Sequence, residues 1–278
     1  MNTLLTGLGM GESPRWHDGR LWLSDMAANE VVRADLDGKR EVVAGVPGMP
    51  MGLGWLPDGR FLVVSCNEGK LLRQEPDGSL VPHADLAALS PFPWGDMVVD
   101  GRGNAYVGCI GFDFGAGIEG EPPAGILALV TAGGEVREVA DGIEFANGLA
   151  VTPDGATLIL AETYGHRLTA FDIEADGGLA NRRVWAELPG AFPDGICLDA
   201  DGAVWYADVP GQRCVRVREG GEVLQTESFD QGAFACVLGG PEGTTLFVTT
   251  ASWPPPQDGS RGGRVVTIEA PARAVGYP

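Results

Sequence analysis

Histidine is scarce in this chain: His17, His83 and His166 are all that its 278 residues contain. There is no His-Glu-x-x-His pair, no Gly-x-Ser-x-Gly elbow and no phosphate-binding glycine loop, so zincin, serine-hydrolase and nucleotide chemistries lack support. Cysteine is sparse too, odd in number (Cys66, Cys109, Cys197, Cys214, Cys236) and without Cys-x-x-Cys spacing. This disfavours a disulfide framework or a thiolate zinc site and suits a reducing cytoplasm. Positive charge is in short supply, with 19 Lys and Arg against 38 Asp and Glu and a net charge of -19. Such a surface repels phosphate backbones and anionic membranes, which argues against nucleic acid and membrane partners; the acidity says little about the substrate, which is expected to be a small molecule. Long hydrophobic runs are missing, so no segment approaches membrane-spanning length. The opening "MNTLLTGLGMGESPRW" lacks the basic region and apolar length of a signal peptide. The expectation is a cytoplasmic protein, monomeric or a small homo-oligomer.

Long amphipathic helices are also lacking, which disfavours α/β folds. What the chain has instead is hairpins. "RWHDGRLWLSD", "LGWLPDGRFLVVSC", "MVVDGRGNAYVGC", "LAVTPDGATLILAE", "ICLDADGAVWYAD" and "VLGGPEGTTLFVTT" each read as apolar strand, glycine turn, apolar strand. Their turn glycines, Gly19, Gly59, Gly103, Gly155, Gly202 and Gly243, recur at intervals of 40, 44, 52, 47 and 41 residues. That is the period of four-stranded propeller blades. More polar hairpins alternate with these, as outer strands facing water require. Residues 1–278 are therefore expected to form an all-β, six-bladed β-propeller in a single domain. "RVVTIEA" (264–270) and residues 2–8 are expected to close the sixth blade from opposite ends of the chain.

The repeat permits an alignment within the one sequence. Counting back seven residues from the one before each turn glycine (six in the shorter first repeat) gives Glu12, Met51, Gly95, Asn147, Asp194 and Ala235. In a propeller these positions meet at one mouth of the central channel. Glu12, Asn147 and Asp194 are hard oxygen donors, and their convergence predicts one divalent cation. Calcium leads the candidates, with magnesium, manganese, zinc and iron behind it. Three protein ligands leave positions open for water and substrate, the catalytic pattern. Taken singly, "NGLA" and "DGIC" also suit ordinary turns. The second strands end, in register, at Asp25, Cys66, Cys109, Glu162, Asp208 and Thr250; for the carboxylates, substrate contact and pairing with backbone amides are both open. "IGFDFGAGIEGEPPAG" (110–125) reads as a lid or specificity loop, or as an inert excursion. Trp94, Phe234 and Trp253 flank mouth positions as apolar walls or as plain core.

"GESPRW", "FANGLAVTPDG", "AETYGHRL", "FPDGICLDADG" and "GGPEGTTLFVTTA" occur in order from about residue 10 to 255. In this the chain resembles the gluconolactonase, senescence-marker and luciferin-regenerating-enzyme-like family. The resemblance implies a six-bladed propeller with one divalent cation on Glu12, Asn147 and Asp194, and a metal-dependent lactonase that opens intramolecular esters, commonly sugar lactones. Asp194 is then the first candidate general base and Glu12 the second, while Gly95, Asp96, Met51, Glu162, Trp94 and Phe234 are the expected substrate contacts. One departure stands out: the family's third-blade motif usually begins Asn-Asp, where this chain has Gly95-Asp96. Met51 also replaces a frequently polar residue. Both changes suit a larger or more apolar substrate. Two other readings compete: a divergent enzyme acting on a phosphotriester or a biosynthetic intermediate, and a non-catalytic metal-binding propeller.

Overall fold

Six four-stranded antiparallel sheets are arranged as the blades of a propeller in the computed structural model, which describes residues 1–114, 122–256 and 258–277. A short helical turn spans Met26–Ala28, and among the described residues no helix is long and apolar enough to cross a membrane. Blades one to five each use four consecutive strands, spanning 11–45, 50–85, 94–143, 146–187 and 193–228. The sixth combines Gly232–Gly239, Thr245–Ala251 and Gly263–Glu269 with Asn2–Leu8 on its outer edge. The two ends of the chain thus meet in one sheet, in the pairing the hairpin pattern predicts.

The six inner-turn glycines all adopt positive φ, from 69° at Gly155 to 85° at Gly59, the conformation a tight hairpin demands and side chains resist. Burial falls from the axis outwards. The first strands Trp94–Val99 and Pro193–Leu198 are buried throughout, whereas the fourth strands Arg40–Gly45 and Val223–Ser228 are largely exposed. No single core fills the molecule; apolar faces pack blade against blade. Ile159, Leu168 and Trp185 of blade four meet Ile196, Tyr206 and Val215 of blade five, and Leu5 and Leu8 join Leu21, Val32 and Phe247 where blade six meets blade one.

At the far end of the channel the C-terminal segment crosses three blades. Tyr277 bridges to Val151, Ala274 to Asp199, and the Ala274 N–H donates to Gly243 O at 2.8 Å. Removing residues 1–8 deletes two buried leucines and bares the Gly263–Glu269 edge. The leucines alone predict a loss of at least about 4 kcal/mol, or about 10 °C in Tm, with concentration-dependent association through the open edge. Thermal unfolding and light scattering of the truncated chain check this, and an unchanged Tm would refute the closure.

Candidate active site at the channel mouth

Each first strand runs to the channel mouth, where its ladder with the second strand shifts register. The shifts fall between Glu12 and Arg15, Pro50 and Leu53, Trp94 and Met97, Ala146 and Leu149, Pro193 and Ile196, and Ala233 and Ala235. A local break of this kind re-aims a side chain that a regular strand would send into a sheet face. Five of the six register positions, Glu12, Met51, Gly95, Asn147 and Asp194, line one cavity of about 600 Å³. In the sixth blade Phe234 lines it in place of Ala235. Ser13, Met49 and Phe145, each within two residues of a mouth position, hold left-handed backbone at φ 46°, 72° and 66°, strain of the kind that gathers at functional sites.

The glycines after the mouth residues are not turn residues. Gly148 and Gly195 lie inside strands, and a Cβ on Gly148 would stand 2.5 Å from Asp194 O. Likewise a Cβ on Gly52 would stand 2.5 Å from the Met97 N. Neighbouring inner strands approach too closely for any side chain, which explains Asn-Gly and Asp-Gly here. At Gly95 the nearest atoms to an added Cβ are 3.8 to 4.0 Å away, so that position has room.

Glu12 and Asp194 are both buried, 5% and 9% exposed. Burial pushes the Glu12 carboxyl up to about 8; the Asp96 charge adds to this, and the Ser13 N–H and Arg15 partly offset it. Asp194 is raised well above its ordinary value by burial, then by Glu12 and Asp96, against a hydrogen bond from Asn147. The Asn147 amide nitrogen also donates to Thr163 Oγ1 at 3.2 Å, and that hydroxyl donates to Pro193 O at 2.8 Å. Both bonds engage the amide nitrogen, which leaves its carbonyl oxygen for another partner. Among the described residues no three His, Cys, Asp or Glu side chains group as a metal site; the set here is two carboxylates and an amide. It nevertheless fits a hard cation, because two buried carboxylates converge and the guanidinium beside them is already committed.

That guanidinium is Arg15, whose Nη2 donates to Asp96 Oδ1 at 2.9 Å and to Met97 O at 2.5 Å while Nε donates to Leu53 O. Asp96 also accepts from Ser13 Oγ at 2.9 Å and from the Met97 N–H. It does not line the cavity. The expectation that Asp96 touches substrate is therefore corrected: its oxygens tie blades one and three together. Glu162 is corrected likewise. It is wholly buried and accepts from Arg167, Arg182, Thr169 Oγ1 and the Glu144 N–H, away from the cavity lining. Burial acts to raise its carboxyl, and the hydrogen bonds, from Arg167 first, outweigh that and hold it below the usual range.

Glu162 does belong to a pattern. Asp25 accepts from the Gly9 and Met10 N–H groups, Glu162 from Glu144 N–H, and Asp208 from Phe192 N–H. Each pins the loop that enters the strand carrying Glu12, Asn147 or Asp194. The blades without a donor end the same strand in Cys66, Cys109 and Thr250. All three carboxylates thus accept from backbone amides, and arginines share the oxygens of Glu162 and Asp208. Ser13, Arg15 and Thr163 were missed as site residues, although "GESPRW" and "AETYGHRL" contain them.

The cavity walls are apolar. Trp94 is a fully buried wall whose Nε1 donates to Ser90 O, and Phe234 and Trp253 also line the cavity, their ring centroids 6.1 Å apart. Of the 110–125 insertion, residues 115–121 lie outside the described residues.

Residues 10–252 match the SMP-30/Gluconolactonase/LRE-like region. Regucalcin of Xenopus laevis is 26% identical over 250 residues, covering 87% of this chain and 83% of its own. Pentonolactonase XacC of Haloferax volcanii is 26% identical over 253 residues, covering 88% and 83%. In three dimensions the chain is similar to a calcium-binding protein, regucalcin, from Agrobacterium tumefaciens: TM-score 0.81 at 22% identity, over 99% of this chain and 96% of that one.

The electrostatics predict a pH response. With its carboxyl raised to about 8 from an ordinary 4.5, folded Glu12 binds more proton than unfolded Glu12 between those values. Stability is therefore fully present below about pH 4.5 and lost as pH rises through about 8. In chelator, Tm should fall from about pH 5 to about pH 8, and excess calcium should raise it more at the higher pH. Glu12→Gln should flatten the fall. A parent Tm indifferent to pH and to calcium contradicts the charge balance described here.

Proposed function

Because the chain belongs to the SMP-30/gluconolactonase/LRE-like family, we propose that it is a hydrolase opening lactone rings at the channel mouth. The observation that carries this reading is the convergence of Glu12, Asn147 and Asp194 at the floor of a cavity large enough for an organic ester. The lactonase named among its relatives supports the substrate class.

In this reading Glu12, Asn147 and Asp194 hold one divalent cation, calcium first among candidates. A cation bound there polarises an ester carbonyl and acidifies water. The chain's own residues do the rest. Asn147 presents its carbonyl oxygen, its amide nitrogen held by Thr163 and Asp194. Asp194 is the proposed general base: burial beside Glu12 and Asp96 raises its basicity, and a base is most effective when its pKa approaches the working pH. A carboxylate oxygen of Asp194 accepts the proton of the attacking water. The water oxygen bonds to the acyl carbon, the ring C–O bond breaks, and the leaving oxygen takes the proton back from Asp194 to give the hydroxy acid and restore the base. Glu12, fixed by the Ser13 N–H at 2.9 Å, would be held ionised by the cation against the burial that raises its proton affinity. The apolar walls exclude bulk water and strengthen these interactions.

Asp194→Ala is expected to lower lactone turnover at least about a hundredfold, the usual contribution of a general base, and to weaken cation binding. Its Tm in chelator should equal or exceed that of the parent, since a buried carboxylate is removed. Acid release with a γ-lactone, read beside cation stoichiometry by equilibrium dialysis, checks both. Parental turnover in Asp194→Ala would show that the chemistry lies elsewhere.

A further inference from the structure

The cavity is more apolar than its floor needs. Four methionines, Met10, Met26, Met49 and Met51, line the side formed by blades one and two, and methionine adapts its shape to irregular apolar ligands. An arc of rings completes the wall and meets Met10 and Met26 at Phe234. Tyr164 and Phe145 lie 5.0 Å apart between centroids, Phe145 and Phe114 5.8 Å, Phe114 and Trp253 6.0 Å, and Trp253 and Phe234 6.1 Å. The arc passes unbroken from blade four over the start of the blade-three insertion to blade six. Phe114 and Trp253 are nevertheless 42% and 47% exposed. Large aromatic side chains clustered in the open around a cavity mark a surface that something apolar covers.

The polar inventory points the same way. Among the described residues, no Arg, Lys or His lines the cavity. Glu12, Asn147 and Asp194 occupy the floor, and among the described residues the other polar side chains on the lining are Asn67, Asp113, Thr163 and Tyr164. The Thr163 hydroxyl already joins Asn147 to Pro193 O. Gly95 contributes no side chain. A polyhydroxylated lactone would bury several hydroxyls here, and each one left without a partner loses affinity. An alkyl or aryl substituent gains affinity on the same walls. The volume, about 600 Å³, lies within the range of about 300–1,000 Å³ typical of drug-sized ligands, well beyond one bare ring.

We infer that the lactone accepted by this cavity carries an apolar substituent, an aryl ring or a medium-length alkyl chain, seated against the methionines and the aromatic arc. The inference rests on the hydrolytic reading of the floor and adds the substrate class. Phe114 and Trp253 close over the substituent, while the ring carbonyl faces Glu12, Asn147 and Asp194. Hydrolysis of such a substrate releases an amphiphilic hydroxy acid.

The test uses the full chain with added calcium and four probes: γ-pentyl-γ-butyrolactone, dihydrocoumarin, glucono-δ-lactone, and the non-hydrolysable lactam of the first. The alkyl and aryl lactones should exceed glucono-δ-lactone in kcat/KM at least tenfold, and the lactam should quench tryptophan fluorescence saturably. Gly95→Asn, which has room to fold, should narrow the ratio by adding a polar wall, and Trp253→Ser should narrow it by removing an apolar one. Faster turnover of glucono-δ-lactone overturns the inference and leaves lactone hydrolysis standing. No turnover of any lactone, with saturable quenching by the lactam, overturns the hydrolytic reading and leaves an apolar ligand standing. Neither turnover nor quenching overturns both.

Discussion

Six sheets must bring their inner edges to one axis, and the lack of space there shapes both the channel and its mouth. Where first strands of adjacent blades pass each other, there is no room for a Cβ: Gly52 faces the Met97 backbone, Gly148 the Asp194 carbonyl, and Gly195 the Ala235 backbone. The residue before each glycine is thereby turned to the mouth, and the register shift in every first strand completes the rotation. Close packing of backbone thus produces both a tight channel and a ring of side chains at its end. Blade-to-blade cores and the shared sixth blade keep that ring closed.

The ring carries an electrostatic imbalance. Glu12, Asp96 and Asp194 are buried together with Arg15, whose guanidinium is spent on Asp96 and on backbone carbonyls. Burying charge without compensation is unfavourable, and both donor carboxyls respond with raised proton affinity. The same imbalance is what supports the proposed cation there. Behind it, Asp25, Glu162 and Asp208 pin the entry loops of the three donor strands through backbone amides, so the donors are held by a second set of carboxylates that never face the cavity.

The period of glycine turns made the propeller legible, because hairpin geometry is local and repeats. The mouth residues were legible for the same reason: equal offsets from equal turns place Glu12, Asn147 and Asp194 at equivalent points. What counting cannot reveal is partnership across blades. Asp96 sits one residue from a mouth position, yet its partner is Arg15, distant in sequence and in another blade. Glu162 ends its strand in register with Asp25, but Arg182, Arg167 and Thr169 claim its oxygens. Likewise, Phe114 and Trp253 come from separate blades, and only the closed ring brings their rings together.

The central claim is that Glu12, Asn147 and Asp194 form one cation site at the floor of an apolar cavity. The most direct measurement is a crystal structure of the manganese-soaked chain with anomalous scattering recorded. The account predicts a single strong anomalous peak at the channel mouth, bonded to oxygens of all three residues. A peak elsewhere, or an ordered manganese-free floor at full soaking concentration, would contradict it.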